Sequence, residues 1–235
     1  MALVKLKAIV SITGIATAYM DSIPIVVITG QVQSKLIGRD VFQEADITGA
    51  TAPFCKHNYL VKDISKLDGI MNEAFHLAST GRPGPVLVDV PVDVLKEKYD
   101  FSFNNEVTIP GYISEYELDT SQIIKACELV NNSKKPLIIA GGGVISSHSE
   151  EILYRISSSF GIPAAITLMA KGVLPDDYEL NLGMLGSHGT FAANRAVKSA
   201  DLLLIAGARI GDRSMSNAKA YEDKTIIHID IDPAE

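Results

Sequence analysis

Residues 185–213, LGSHGTFAANRAVKSADLLLIAGARIGDR, hold the densest run of chemistry-bearing positions in this 235-residue chain. An apolar stretch, 202–206, is followed at once by Gly207 and Gly211 and by Arg209 and Arg213. Glycine lets a backbone approach a ligand closely, and arginine offers a planar fork to phosphate or carboxylate. In open parallel sheets, ligands sit just beyond the carboxyl ends of the strands. This spacing points to an anionic, phosphate-bearing ligand. Three other stretches end in the same manner: PLIIA with Gly141, Gly142 and Gly143 after it, PAAIT with its own Thr167 and then Leu168 and Met169, and TIIHI with Asp230 after it. An acidic residue closing a strand can hold ribose hydroxyls.

Each signal also has a plainer reading. The triple glycine reads G-G-G-V-I-S, not G-x-G-x-x-G, and could be a tight turn. Asp230 alone could be a capping or solvated aspartate, and the arginines could be surface ion-pair partners. Recurrence at successive strand ends is what favours a ligand. His188 lies between Gly186 and Gly189, where it could be a hydrogen-bonding strut or a catalytic group. The five histidines show no metal-ligand spacing, and no G-x-S-x-G elbow or P-loop is present.

The elements that must carry these residues follow from periodicity. Helices are predicted over 11–20, 42–51, 65–78, 120–132 (Thr120 as N-cap), 149–160 and 190–199. Buried strands are predicted over 24–29, 57–61, 85–90, 136–140, 163–167, 202–206 and 225–229, with 168–186 mostly loop. Residues 96–119 keep neither period and read as an interdomain linker. The chain is therefore expected to be α/β, with two parallel-sheet units at 1–95 and 120–235.

Composition narrows the partners. Hydrophobic content of 47% with 21% charged residues is that of a globular protein, and the net charge of −7 argues against nucleic acid. No apolar run nears the ~20 residues needed to span a bilayer. Residues 1–10 lack the apolar core and cleavage site of a signal peptide. Cys55 and Cys127 are far apart and read as reduced thiols in a cytoplasmic protein.

Several long stretches resemble acetolactate synthase, the large catalytic subunit of acetohydroxyacid synthase. They are TGIATAYMDSIPIVVITGQV, IGRDVFQEADI, KHNYLVKD and GRPGPVLVDVP in the first half, and TLMAKGVLP, LGMLGSHGT, GARIGDR and HIDIDP in the second. Oxalyl-CoA decarboxylase, glyoxylate carboligase and pyruvate oxidase share the family's three-domain plan, but the IGRDVFQEADI and KHNYLVKD blocks favour acetolactate synthase. The resemblance runs from Thr13 onward and implies a fragment: an incomplete pyrimidine-binding-type domain, then a doubly wound central FAD-binding-type domain, truncated at its end.

The resemblance implies condensation of two 2-oxo acids (pyruvate with pyruvate or 2-oxobutyrate) with decarboxylation, in branched-chain amino acid biosynthesis. It implies FAD as cofactor, and thiamine diphosphate with Mg2+ in the full-length parent. A homodimer or tetramer of the parent and a regulatory small subunit are the implied partners. By position, Arg82, Gly141, Gly142, Gly143, Thr167, Leu168, Met169, His188, Gly189, Thr190, Gly207, Ala208, Arg209, Asp212, Asp230 and Ile231 fall at cofactor contacts. Phe42, Gln43 and Lys56 fall at the substrate and inhibitor channel, and Arg213 at the second substrate's carboxylate. The family's catalytic glutamate and magnesium ligands have no counterpart in these residues, so the chain by itself is expected to be inactive. The first sheet is expected to have an open apolar edge. The alternatives are a non-catalytic FAD or nucleotide-binding module, and a related thiamine-dependent decarboxylase or carboligase.

Overall fold

The computed structural model describes residues 10–42, 44–100, 107–114, 117–211 and 221–235. The chain forms two compact units, Met1–Tyr116 and Glu117–Glu235. Both are α/β with parallel sheets, as the strand and helix rhythm predicts. No described helix is long and apolar enough to cross a membrane.

The first unit is built on β3 (Pro85–Pro91), flanked by β1 (Ile25–Gln31) and β2 (His57–Leu60) in the order β1-β3-β2, all parallel. Every residue of β3 is buried. Its alternation sends Val86, Val88 and Val90 to one face, against Ala74, Leu77 and Ala78 of α3 (Leu67–Ser79). Leu87 faces the other way, against Ile15 of α1 (Ile12–Met20) and Ile47 of α2 (Ile47–Thr51). On edge strand β1, Ile28 is 61% exposed, an apolar side chain with no cover among the described residues.

Two predicted features differ here. The helix expected over 42–51 is only α2, because the acids at its start serve other ends. Glu44 accepts from the backbone N–H of Gly38 and Val41, and Asp46 caps α2 by accepting from Gly49 N–H at 2.8 Å. Part of the segment read as a linker is docked, since Ile109 and Tyr112 pack on the core around α3.

The second unit holds α4 (Thr120–Asn132), β4 (Pro136–Ala140), α5 (Gly142–Ser146), α6 (Glu150–Phe160), β5 (Ala164–Ile166), β6 (Asn181–Met184), α7 (Phe191–Ser199), β7 (Leu202–Ala206) and β8 (Thr225–Ile229). The strands run parallel in the order β6-β5-β4-β7-β8. Leu137 and Ile139 of β4 join Leu203, Ile205, Ala193 and Val197 on the α7 face, while Ile138 and Ala140 join Leu153, Ala164 and Ile166 on the α6 face. Cover on both sides explains why these strands read as unbroken apolar runs.

Here too the structure corrects two details. Strand β6 lies within the stretch expected to be loop; its Asn181 and the left-handed Gly183 (φ 81°) hide the strand's pattern. The N-cap of α4 is Asp119, not Thr120, because the Asp119 carboxylate accepts from Ser121 N–H at 2.9 Å.

Asp201 fastens the start of β7 to the turn before β4. Its carboxylate accepts from the Ser133 hydroxyl and from the N–H groups of Lys134 (2.8 Å) and Lys135 (2.9 Å). The Ser133 hydroxyl first, then these amides, pull its pKa from 3.8 down to about 2. A depressed carboxylate stabilises the fold fully above its unfolded value of 3.8 and loses that contribution as pH falls through about 2. Asp201→Asn should therefore lower the urea midpoint near neutrality, with the gap to the parent closing as pH approaches 2. Separately, Gly161 ends α6 at φ 64°, and a Cβ added there would meet nothing within 4 Å, so Gly161→Ala meets only backbone strain. Urea unfolding should report a loss of about 1 kcal/mol.

Candidate functional site

Because all five strands of the second sheet are parallel, their carboxyl ends share one rim. Ala140 is in register with Ile166 and Ala206, and Ala206 with Ile229. The next residues continue the ladder: Gly141 N–H donates to Ala206 O (2.8 Å), Thr167 N–H to Ala140 O (2.9 Å) and Gly207 N–H to Ile229 O (2.8 Å). Gly141, Thr167, Gly207 and Asp230 thus stand side by side on one edge. The strand order reverses between β4 and β7, which makes the space above their ends the crevice where such sheets bind ligands.

At that reversal the glycines have a structural task. A Cβ on Gly141 would lie 2.1 Å from Gly207 O, and one on Gly143 would lie 2.6 Å from Gly207 Cα. Gly207 itself has φ 56° and receives a hydrogen bond from Gly143 N–H at 2.9 Å. Contact between the two strand-end loops therefore accounts for Gly141, Gly143 and Gly207. Gly142 is looser, with its nearest neighbour the Met169 Cβ at 3.0 Å.

The side chains that project from the rim are of two kinds. Leu168 (67% exposed), Met169 (45%), Ile210 (48%), Ile229 (57%) and Ile231 (48%) are apolar. Asp230 is the acidic member, accepting from Asp232 N–H at 2.9 Å. Ala208 is buried and Arg209 partly so.

His228 belongs with this group and is not among the residues that sequence patterns single out. Its Nε2 lies 2.9 Å from Ala208 O and 3.8 Å from an Asp230 oxygen, so it joins the tip of β8 to the loop after β7. A signal was available: His228 and Asp230 are two apart where a strand ends, at the spacing that puts extended residues on one face.

At the end of β6, Gly189 presses on backbone, with a Cβ there 2.4 Å from Met184 O. Thr190 caps α7 by accepting from Ala193 N–H at 3.1 Å and donates to Leu182 O at 2.6 Å. His188 is exposed beside them.

In the first unit, Phe42 stands 89% exposed on the loop after β1. Lys56 is committed: its ammonium donates to Leu77 O, to Thr80 O (2.7 Å) and to the Tyr112 hydroxyl (3.2 Å), closing the carboxyl end of α3. Arg82 donates through Nε to the Ser22 hydroxyl at 3.1 Å. Gln43, Asp212 and Arg213 lie outside the described residues. Among the described residues, no three His, Cys, Asp or Glu side chains are placed to share a metal ion.

Gly207→Ala combines left-handed strain with a Cβ 2.6 Å from Gly143 Cα. It should cost roughly 2–5 kcal/mol in urea unfolding. Gly211→Ala, with nothing within 4 Å and no positive φ, should change stability by under ~1 kcal/mol.

Residues 123–235 match the model of the thiamine pyrophosphate enzyme central domain. The chain is 46% identical over 225 residues to the acetolactate synthase of Mycobacterium leprae, covering 95% of the chain and 36% of that protein. It is 46% identical over 226 residues to the acetolactate synthase large subunit of Buchnera aphidicola subsp. Schizaphis graminum (95% and 40%). To the probable acetolactate synthase large subunit of Methanocaldococcus jannaschii it is 46% identical over 228 residues (95% and 39%). The chain thus spans well under half the length of the curated relatives it matches. Its second unit thus matches the thiamine pyrophosphate enzyme central domain, on a chain similar along 95% of its length to acetolactate synthase large subunits.

Proposed function

We propose that this chain is part of an acetolactate synthase large subunit, and that its second unit holds FAD along the carboxyl rim of the sheet. The observation that carries the reading is identity of 46% extending over 95% of the chain, both units included, rather than over the central domain alone. In the whole protein, two 2-oxo acids, pyruvate with pyruvate or 2-oxobutyrate, condense with loss of carbon dioxide. Thiamine diphosphate with Mg2+ supplies the carbanion chemistry of that condensation.

This chain's residues bind, orient and exclude water. Leu168 and Met169 offer an apolar floor to a flat ring, and the Asp230 carboxylate is suited to ribose hydroxyls. His228, through Ala208 O, ties the tip of β8 beside Asp230 to the loop after β7. Arg213 is assigned to a substrate carboxylate, which a guanidinium can grip with two parallel hydrogen bonds. Phe42 and Gln43 contribute to the substrate channel, and Lys56 acts there through the turn it fixes. The names of several relatives as large subunits favour a smaller regulatory partner, and the parent is proposed to be a cytoplasmic homo-oligomer.

The chain should retain or take up FAD, read by flavin absorbance after gel filtration. Asp230→Ala should weaken FAD about tenfold, the effect of losing one well-placed hydrogen bond of ~1.4 kcal/mol. A chain that takes ADP as tightly as FAD would be a general nucleotide-binding module, and one that takes neither would sink the flavin assignment.

A further inference from the structure

The first unit buries a polar cluster that the proposed function does not use. Asp89 (1% exposed) on β3 accepts from the Thr29 hydroxyl at 2.7 Å and from Gln31 Nε2 at 3.0 Å. Thr29 and Gln31, both 6% exposed, are on β1, and Thr29 is the register partner of Asp89. Burying a carboxylate and an amide in a small core is costly unless each is hydrogen-bonded, so the cluster needs a reason.

Gln31 supplies one. The same Nε2 donates to Ala45 O at 2.8 Å, and Oε1 accepts from Val32 N–H at 2.8 Å. One amide therefore grips both ends of the loop between β1 and α2. Its orientation is determined, because a flipped amide would aim oxygen at two acceptors. A second pin lies farther along, where Asp93 accepts from Ser34 N–H at 3.0 Å and from its hydroxyl at 3.2 Å. Inside the loop, Glu44 accepts from Gly38 and Val41 N–H. At the tip stands Phe42, 89% exposed, a large apolar side chain presented to solvent by a loop closed at its base.

We propose that Gln31, held in place by Asp89, is a positioning residue that latches the loop after β1 at Val32 and Ala45, and so limits where Phe42 stands. That this loop faces a 2-oxo acid rests on the function proposed above; the latch itself does not. Asp89 fixes the amide, and the amide fixes Ala45, three residues beyond Phe42.

The test uses the whole chain. Lys35 and Arg39 are trypsin sites within the loop. Gln31→Met keeps the volume and removes all three hydrogen bonds of the amide. It should speed cleavage at Arg39 at least tenfold, and should also lower the thermal midpoint because buried Asp89 loses a partner. Thr29→Val weakens the cluster without touching the loop, and should lower the midpoint without releasing Arg39. Cleavage unchanged in Gln31→Met, or Thr29→Val freeing Arg39 equally, overturns the latch. Should Gln31→Met fail to fold, hydrogen exchange in the unmodified chain decides. The Val32 amide, which donates to the Gln31 side chain, is expected to be protected to within tenfold of the β1 amides, and exchange at open-loop rates overturns the proposal. Flavin and ADP binding is the separate readout for the function, so the two claims can fail independently.

Discussion

The amide of Gly143 donates to the carbonyl of Gly207 across 2.9 Å, and neither residue could carry a side chain without parting the two loops. The second unit depends on that contact. It lets the chain leave β4 and β7 in opposite directions across the sheet while the strand ends stay level. Gly141, Thr167, Gly207 and Asp230 can then be neighbours along one edge. Everything that projects from the rim takes its direction from those four backbone positions. The glycines are thus explained by the protein's own packing, and the side chains between them are left to recognise a ligand.

The first unit meets a comparable need by different chemistry. Its loop after β1 is longer and less apolar, and no close glycine contact holds it. A buried amide and carboxylate do so instead, on adjacent strands whose register is set by a fully buried β3. Hydrogen bonds of this kind are worth little net when formed but cost much when one partner is missing. They therefore act as a specification of geometry more than as a source of stability. Lys56 follows the same logic. Its ammonium meets three oxygens at the end of α3, and its stem runs 3.2 Å from where a Cβ of Gly84 would lie, so it shapes the turn bearing Arg82. A residue matched by position to a channel is, in this structure, first a strut.

The projecting apolar residues of the rim invite the opposite inference. Leu168, Met169, Ile229 and Ile231 are more exposed than their chemistry would favour in isolation. Together with Asp230 they make the ends of β5 and β8 mixed in character. His228 gives this surface rigidity by tying β8, an edge strand, to the loop after β7. An edge strand has one free ladder, so a side-chain tie to its neighbour limits how far its tip can stray.

The amino-acid sequence by itself determined the class of fold, the parallel strands and the positions at which they end. Those features are local: an apolar run such as PVLVDV or LLLIA, bounded by turn residues, declares a strand covered on both faces. The strand-end residues were legible for the same reason. Helix starts were less so, because Asp46, Asp119 and Glu44 compete for nearby amides in ways that spacing does not rank. Strand β6 was hidden by Asn181 and Gly183, which suit a turn equally well. What only the tertiary structure decided were relations across long sequence separations. Gly143 against Gly207, Gln31 against Asp89 and His228 against Ala208 are pairs that no window of neighbouring residues contains. Each is set by strand order and register, and those are fixed by the packing of whole layers rather than by the residues that finally touch.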